Sequence, residues 1–490
     1  MASAGSRIAS IKGPAVAIVS GLGAGAAIAV GGVAASPLLT AAAVASAVVT
    51  VIVLLYPTLG LILTALVIPI ERLGRFSDDL SLPVFSLMRI VGLLALAAVV
   101  LHVAARRLPV RVTPPVLAYT VVVLVGALSY VNAADPTATF AETMTMLGNL
   151  LFIVLIVNGV RSWWLLQAML VTWLGASLLI GLYQVYDWHF GSTIIGEFDL
   201  GHVDSRFVTT WDSNSEIDSV GMVRRAMGTT SNAAVYGINL IMTLPFLLYY
   251  DRVARRPWLN WFLLGCIGLV CYNILLTNTR AVLIVALLAI ALCWAARLIL
   301  ITPARLWLGV AGLVAILAVT PDSVWKRTLD WSQYTIEKAN NLRARFFLWE
   351  GAWKLGSENL WTGIGVGNRT EIMTRVDTTY IEAEWITPHN EYLQNFVEMG
   401  LPGVVAVFVF LLTSLSTQVA AAHYFRSQGM REENLVLRAS IIVLICVVVF
   451  GVQVDVFHFP LKGFWLALGL SCVLYAEARR SSRFSAPAVA

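Results

Sequence analysis

Residues 401–420 read LPGVVAVFVFLLTSLSTQVA, and just ahead of them stands the polar patch Pro388-His389-Asn390-Glu391-Tyr392-Leu393. The apolar stretch carries no charged side chain. It has about the 20 residues a helix needs to cross the hydrocarbon core of a bilayer. Lipid offers no partner for backbone N–H and C=O groups, so such a run satisfies them within itself, as a helix. The patch closes the longest hydrophilic stretch of the chain. An imidazole held there, at a membrane surface, takes or gives a proton near neutral pH.

Working outward, the same apolar signature recurs at 14–35, 37–56, 58–70, 83–105, 115–131, 144–160 and 163–183. It resumes at 233–250, 258–276, 281–296, 306–320, 439–457 and 461–475. Of the 490 residues, 59% are hydrophobic and 12% charged, against roughly 25% charged in a soluble domain. The expectation is an all-α polytopic membrane protein of about 12–14 transmembrane helices, one integral membrane domain over residues 1–490. Its front is less regular. Segment 58–70 is short and follows Pro57, which suits a re-entrant or broken span. Segment 14–35 is Gly/Ala-rich, with Arg7 and Lys12 upstream and Val33-Ala34-Ala35 at its end. That pattern also suits a signal peptide, although an uncleaved first helix is the favoured reading. The net charge of +5 comes with no long basic run, so no nucleic-acid partner is expected. Cys266, Cys271, Cys293, Cys446 and Cys472 all lie in apolar segments without zinc-ligand spacing, and no disulfide framework is expected.

Arginine placement gives the orientation. One set of loops holds Arg106, Arg107 and Arg111; Arg161; Arg252, Arg255 and Arg256; Arg297 and Arg305; Arg426 and Arg431; and the tail Arg479, Arg480 and Arg483. This set is expected to be cytoplasmic. The loops at 185–232 and 321–400 then face outward, as does 132–142, which has no Lys or Arg. Arg72 and Arg75 run against the trend. The 321–400 loop is expected to be partly helical. Leu342, Phe346, Trp349 and Trp353 recur at helical spacing, as in an amphipathic helix lying at the interface. The run Gly363-Ile364-Gly365-Val366-Gly367 follows that helix with no strand before it, so it reads as a helix-terminating turn rather than a phosphate loop.

Two arginines stand out because the positive-inside trend disfavours them where they sit. Arg225 precedes a membrane segment in Arg224-Arg225-Ala226-Met227-Gly228-Thr229-Thr230-Ser231-Asn232. Arg280 ends the short connection Thr277-Asn278-Thr279-Arg280. A guanidinium binds phosphate oxygens through paired hydrogen bonds, so the two together suit a lipid diphosphate; the plain alternative for each is a side chain snorkelling to headgroups. Arg343 and Arg345, on the interfacial helix, are weaker candidates, as readily solvated as functional. His389, taken alone, is better read as a hydrogen-bonded loop residue without chemistry. His102, His189, His202, His423 and His458 carry less signal. Arg89 lies within a predicted span, where charge is expensive and usually functional; Asp455 is a possible partner. No His or Glu spacing points to a metal.

His389-Asn390 followed by Gly400-Leu401-Pro402-Gly403 resembles the signature of the O-antigen ligase and polymerase superfamily. Arg225 with Gly228 and Asn232 resembles the Arg–Gly–Asn element that opens a mid-chain helix in those proteins. Asn278-Thr279-Arg280 resembles their second arginine, and Arg345 through Trp349 to Gly367 is similar to the segment before their catalytic histidine. The resemblance spans about residues 205–475. The chain departs from the pattern at its front, with about two apolar segments more than the usual 12, and at Ile284, where some ligases place Leu.

The resemblance implies a GT-C-like, multi-spanning glycosyltransferase of the bacterial inner membrane that works at its outer face. Its donor would be a glycan on a polyprenyl (undecaprenyl) diphosphate, with Arg225 and Arg280 on the diphosphate. His389 would be the catalytic residue, orienting or deprotonating an acceptor hydroxyl, with Asn390, Asn232, Arg343 and Arg345 as possible secondary contacts. No cofactor or metal is implied. The acceptor stays open: lipid A–core of lipopolysaccharide for a ligase, a second lipid-linked repeat for a polymerase, or a protein hydroxyl. A membrane transporter and a non-catalytic assembly protein are the alternatives from other classes.

Overall fold

The computed structural model describes residues 47–70, 86–106, 108–190, 225–230, 232–320, 336–376, 388–454 and 461–484, without the side chains of 306, 313, 315, 317, 336–344 and 481–484. Besides short 3-10 turns at Ile68–Ile70, Ser129–Asn132 and Arg369–Arg375, the described residues form α-helices. In order they are α1 Ala47–Leu55, α2 Pro57–Val67, α3 Leu87–Ala105, α4 Pro114–Leu128, α5 Pro136–Gly159, α6 Trp163–Phe190 and α7 Ala233–Val253. There follow α8 Pro257–Leu276, α9 Arg280–Ala295, α10 Pro303–Val319, α11 Ile336–Glu358, α12 Glu391–Ser427, α13 Arg431–Phe450 and α14 Lys462–Phe484.

Eight of these helices are long and apolar enough to cross a membrane, or nine if the bent pair α1–α2 is one span. The chain is thus an all-α polytopic membrane protein. Segment 14–35 lies outside the described residues; each of the other thirteen expected spans coincides in whole or part with a helix. At 58–70 the chain bends sharply, α1 and α2 meeting at 119°, the geometry of a broken span or a re-entrant segment. Pro57 is the cause, because its ring cannot continue the preceding helix but suits a first turn.

The helix starts are written in the sequence. Pro occupies the first turn of α2, α4, α5, α8 and α10. Side chains cap α5, α7 and α12: Asp135 Oδ1 accepts from Thr137 N (2.8 Å), Asn232 Oδ1 from Ala234 N (2.8 Å), and Asn390 Oδ1 from Tyr392 N (3.0 Å) and Leu393 N (3.1 Å).

Several helices differ from expectation. α6 runs on to Phe190, so the loop expected from residue 185 begins in helix. The 132–142 segment is not a loop throughout, because α5 starts at Pro136. The span expected from Leu401 starts at Glu391 and is kinked at Gly400, where φ 65 and ψ −165 leave the helical region. A Cβ at Gly400 would stand 2.5 Å from Leu360 O, so this position requires glycine. The helix expected in the 321–400 stretch is present as α11, and the side chains it buries are Leu348, Ala352 and Leu355 rather than the expected apolar stripe. Its Phe346 and Trp353, with Trp361 beyond it, are exposed.

The bundle has two chemically distinct ends. At one, Arg111 donates to Val160 O (3.2 Å) and pairs with Glu477 (3.3 Å), Arg305 pairs with buried Asp251 (2.5 Å), and Arg438 Nη1 donates to Ala296 O (2.9 Å). The Arg-rich connections therefore gather at a single end. The other end carries the α8–α9 corner, the start of α12 and the close of α13. Between the ends, Tyr119, Phe410 and Trp465 interlock α4, α12 and α14 with ring centroids 4.6–5.8 Å apart.

Candidate functional site at the arginine-poor end

The segment 225–230 is clamped on three sides. Ala226 N donates to Leu276 O (2.9 Å), and Gly228 N donates to Gln184 Oε1 of α6 (2.8 Å). Thr229 Oγ1 donates to Pro69 O. Gly228 lies against the Tyr236 ring with φ 55, a place that no Cβ could share. Beneath it Tyr236 Oη donates to Asn273 Oδ1 (3.0 Å), and Asn273 Nδ2 donates to Leu269 O (2.9 Å) and Gly181 O (3.2 Å), which staples α6, α7 and α8 together.

On this base the two arginines meet one corner. Arg225 Nη2 donates to Thr279 Oγ1 (2.6 Å) and Nε to Thr277 O (3.3 Å). Arg280 follows directly as the first residue of α9. The structure thus brings Arg225 to the turn that presents Arg280. Asn232, four residues beyond Gly228, has its side chain spent on capping α7.

His389 stands on a separate support. Trp349 Nε1 of α11 donates to Pro388 O (2.7 Å), and Glu391 N donates to Gly451 O at the close of α13 (2.8 Å). Between these fixed points His389 is half-buried and takes φ 47, a conformation sparsely populated by residues with a Cβ. Such strain persists only where the surroundings hold it, and it clusters at functional positions. Asn390 caps α12. Arg345 Nη1 donates to Gln453 Oε1 (3.0 Å), which ties α11 to the same end of α13. Arg343's side chain lies outside the described set.

The glycine run underpins this support. Ile364 N donates to Val397 O (3.0 Å), Gly365 N to Glu398 O (3.0 Å) and Val366 N to Ser129 Oγ (3.1 Å). These N–H groups are consumed by the protein itself, so the run locks the α12 kink and is no phosphate loop. Asn132 Nδ2 also donates to Gly363 O (2.8 Å). Arg375 of the 3-10 turn Arg369–Arg375 pairs with Glu358 (2.8 Å), which raises its pKa above the ordinary arginine value.

The two supports share a level of the bundle. α9 and α13 pack together and are pinned by the Arg438–Ala296 hydrogen bond. From that contact α9 runs back about 24 Å to Arg280, and α13 runs on about 20 Å to Gly451, at 1.5 Å per residue.

Sequence reasoning missed three carboxylates. Glu142, Glu391 and Glu398 line one cavity with Tyr119, Asn395 and Phe410; it spans about 410 Å³ including its mouth. Gln394 Nε2 donates to Glu398 Oε1 (2.9 Å), and Asn395 Nδ2 to Glu391 Oε1 (2.8 Å). Glu391 and Glu398, seven residues apart, share a helix face, a signal readable beforehand. A second cavity of about 490 Å³ lies beside Thr229 and Thr230, between α6 and α7.

Of the other singled-out residues, Arg89 donates to Thr145 Oγ1 (3.3 Å), while Asp455, His458 and His202 lie outside the described residues. His189 Nε2 meets Tyr272 Oη at 2.7 Å. All five cysteines are unpaired. Among the described residues no group of three or more His, Cys, Asp or Glu is placed to hold a metal ion.

No curated protein matches the chain. A family model described as O-antigen ligase matches residues 265–408, the stretch that runs from mid-α8 through Arg280 and His389 to the α12 kink. That match supports membership of the O-antigen ligase superfamily.

Proposed function

We propose that this protein transfers a glycan from a polyprenyl-diphosphate-linked donor, of the undecaprenyl type, to an acceptor hydroxyl at the outer face of the bacterial inner membrane. The observation that carries this reading is the arginine corner: Arg225 is bonded to the turn from which Arg280 projects. Two guanidinium groups at one corner suit the two phosphoryl groups of a diphosphate. The donor's diphosphate is a good leaving group, and the arginines stabilise the charge that develops on it as the glycosidic C–O bond breaks. His389 takes the proton of the acceptor hydroxyl or orients it for attack. The positive-inside trend puts the Arg-rich end in the cytoplasm and this site outside. The family match supports glycan transfer as the class of reaction. We favour a ligase-like role with lipid A–core as acceptor over polymerisation of lipid-linked repeats, on the strength of the family description alone.

The test is in vitro transfer from purified undecaprenyl-diphosphate-linked glycan by the full-length protein in proteoliposomes. Wild type should form product and His389→Ala should not, at matched protein levels. Equal rates would remove His389 from the chemistry and turn the reading toward transport or assembly. Offering lipid A–core and a second lipid-linked glycan in separate reactions distinguishes ligase from polymerase.

A further inference from the structure

No side chain caps the N-terminus of α9. Thr279 holds the cap position, where a hydroxyl ordinarily accepts from an N–H two or three residues on. Its Oγ1 instead accepts from Arg225 Nη2 (2.6 Å) and donates to Thr277 O (2.9 Å). The first N–H groups of a helix lack partners within it and carry the positive end of its dipole, so such an end favours an anion.

A second observation, one residue earlier, points the same way. Asn278 is 3% exposed, yet neither its Nδ2 nor its Oδ1 has a hydrogen-bond partner. A buried amide that makes no hydrogen bond destabilises the fold that contains it. The turn does not explain it. Asn278 has φ 48, which Asn tolerates, but glycine meets the same φ at lower cost and leaves nothing unpaired. The amide is accounted for when a ligand supplies its partners. Its neighbours define that ligand. Arg280 follows two residues on, Arg225 is bonded to both flanking threonines, and Gln184, on the far side of the 225–230 segment, has a buried Nε2 that is also unpartnered. Donors dominate this corner, and the groups that match an array of N–H donors are phosphoryl oxygens. The one spare acceptor, Asn278 Oδ1, matches a hydroxyl beside the phosphate.

We propose that the N-terminus of α9 and the Asn278 amide form a phosphoryl subsite for a diphosphate-linked glycan. Nδ2 donates to a non-bridging phosphate oxygen and Oδ1 accepts from a hydroxyl of the first sugar. Binding turns the amide out of its buried position toward the ligand. The inference rests on the donor reading above, to which it adds a residue that touches both the leaving group and the sugar.

Three variants of the purified full-length protein in uncharged detergent test it: Asn278→Gly, Asn278→Asp and Arg280→Ala. Farnesyl diphosphate is the probe, titrated by calorimetry and by thermal shift, and phosphatidylglycerol is added in a parallel arm. Asn278→Gly keeps the turn and removes the unpaired amide, so its Tm without ligand should equal or exceed that of wild type. Its affinity for farnesyl diphosphate should fall roughly tenfold, as expected for one hydrogen bond to a charged group. Asn278→Asp keeps the shape but faces the phosphate with a negative charge, and should lose more, on the order of a hundredfold. With glycosylated donor the Gly variant should raise KM more than it lowers kcat. Wild-type affinity in Asn278→Gly, with loss in Arg280→Ala, would refute the subsite and leave the arginine reading standing. Wild-type affinity in both would remove the arginine reading as well. An equal Asn278-dependent shift with phosphatidylglycerol would mean an ordinary headgroup site and would overturn the assignment to the donor.

Discussion

Arg225→Lys keeps the charge and removes the geometry, which makes it the sharpest perturbation of the corner. The guanidinium reaches two acceptors at once, Thr279 Oγ1 at 2.6 Å and Thr277 O at 3.3 Å, from two different nitrogens. A lysine ammonium is a single point on a flexible stem and cannot span both. One hydrogen bond from a charged donor is therefore lost, which costs about 1.5–3 kcal/mol. If the corner must be held for Arg280 to meet the diphosphate, that loss appears in kcat/KM as a drop of about 10–150-fold. Arg225→Ala loses both bonds and should fall further, by about 10²–10⁴-fold if the two contributions add. The assay is transfer from purified lipid-linked donor in proteoliposomes, with protein amount and Tm matched between variants. The Ala226 N to Leu276 O bond is backbone to backbone, so the segment stays attached in both variants. Arg225→Lys within about twofold of wild type would refute the two-point clamp and reduce Arg225 to a generic positive field.

The remaining expectations concern the second support, the frame and the orientation. His389→Ala should lower the transfer rate by about 10²–10⁴-fold with the fold intact, and His389→Gln should keep part of the activity only if the imidazole acts as a hydrogen-bonding guide; a Gln variant as fast as wild type would exclude proton transfer by this residue. Gly400→Ala introduces a Cβ 2.5 Å from Leu360 O at φ 65 and ψ −165, so at least about 1–3 kcal/mol of strain should appear as a lower Tm, and an unchanged Tm would mean that the kink relaxes freely. Asp251→Ala leaves Arg305, whose side chain is 20% exposed, without its carboxylate, and should cost about 3 kcal/mol, which a denaturant titration in detergent checks. A single cysteine at position 253 in a Cys-free background should resist an impermeant thiol reagent in intact cells, because the Arg-rich end is proposed to be cytoplasmic; labelling there would invert the topology.

The helices were legible because lipid leaves the backbone one solution, and an apolar run of the right length states it. The bend at Pro57 was legible because Pro acts locally; the helix α11 was legible too, but not its buried face, which is Leu348, Ala352 and Leu355 rather than the stripe of Phe346 and Trp353. Helix starts were less so. α12 begins ten residues before its apolar run at Leu401 because Asn390 caps it and Gly400 absorbs a kink, so polar residues 391–400 are helical after all. Glu142 looked like part of an outer loop, yet it belongs to α5 and lines the cavity with Glu391 and Glu398. Hydropathy counts such residues against burial and cannot see that they face one another. The arginine corner depends on contacts more than fifty residues apart in sequence, so local pattern could mark the two residues but not their meeting. Asn232 and Asn390, read as possible secondary contacts, are helix caps in the structure, an ordinary role for Asn before a helix.

The family match takes in Arg280 and His389 but not Arg225, which lies forty residues before it begins. The structure supplies the connection. Ala226 N and the Arg225 guanidinium are bonded to residues 276, 277 and 279, so the unmatched arginine is part of the matched corner in space. The histidine support is joined to that corner by a different element, also outside the match. α13 is bonded to the foot of α9 through Arg438 and Ala296, and to the start of α12 through Glu391 N and Gly451 O. Its length therefore sets where the start of α12, and with it His389, stands relative to Arg280. Donor and acceptor chemistry need a fixed separation, because a reacting pair held out of position loses most of its rate. A rigid helix pinned at both ends meets that need better than the long connection between α10 and α12 could by itself. On the proposed reading, Arg280 and His389 lie inside the match and Arg225 outside it, and the 225–230 segment and α13 hold the three in register.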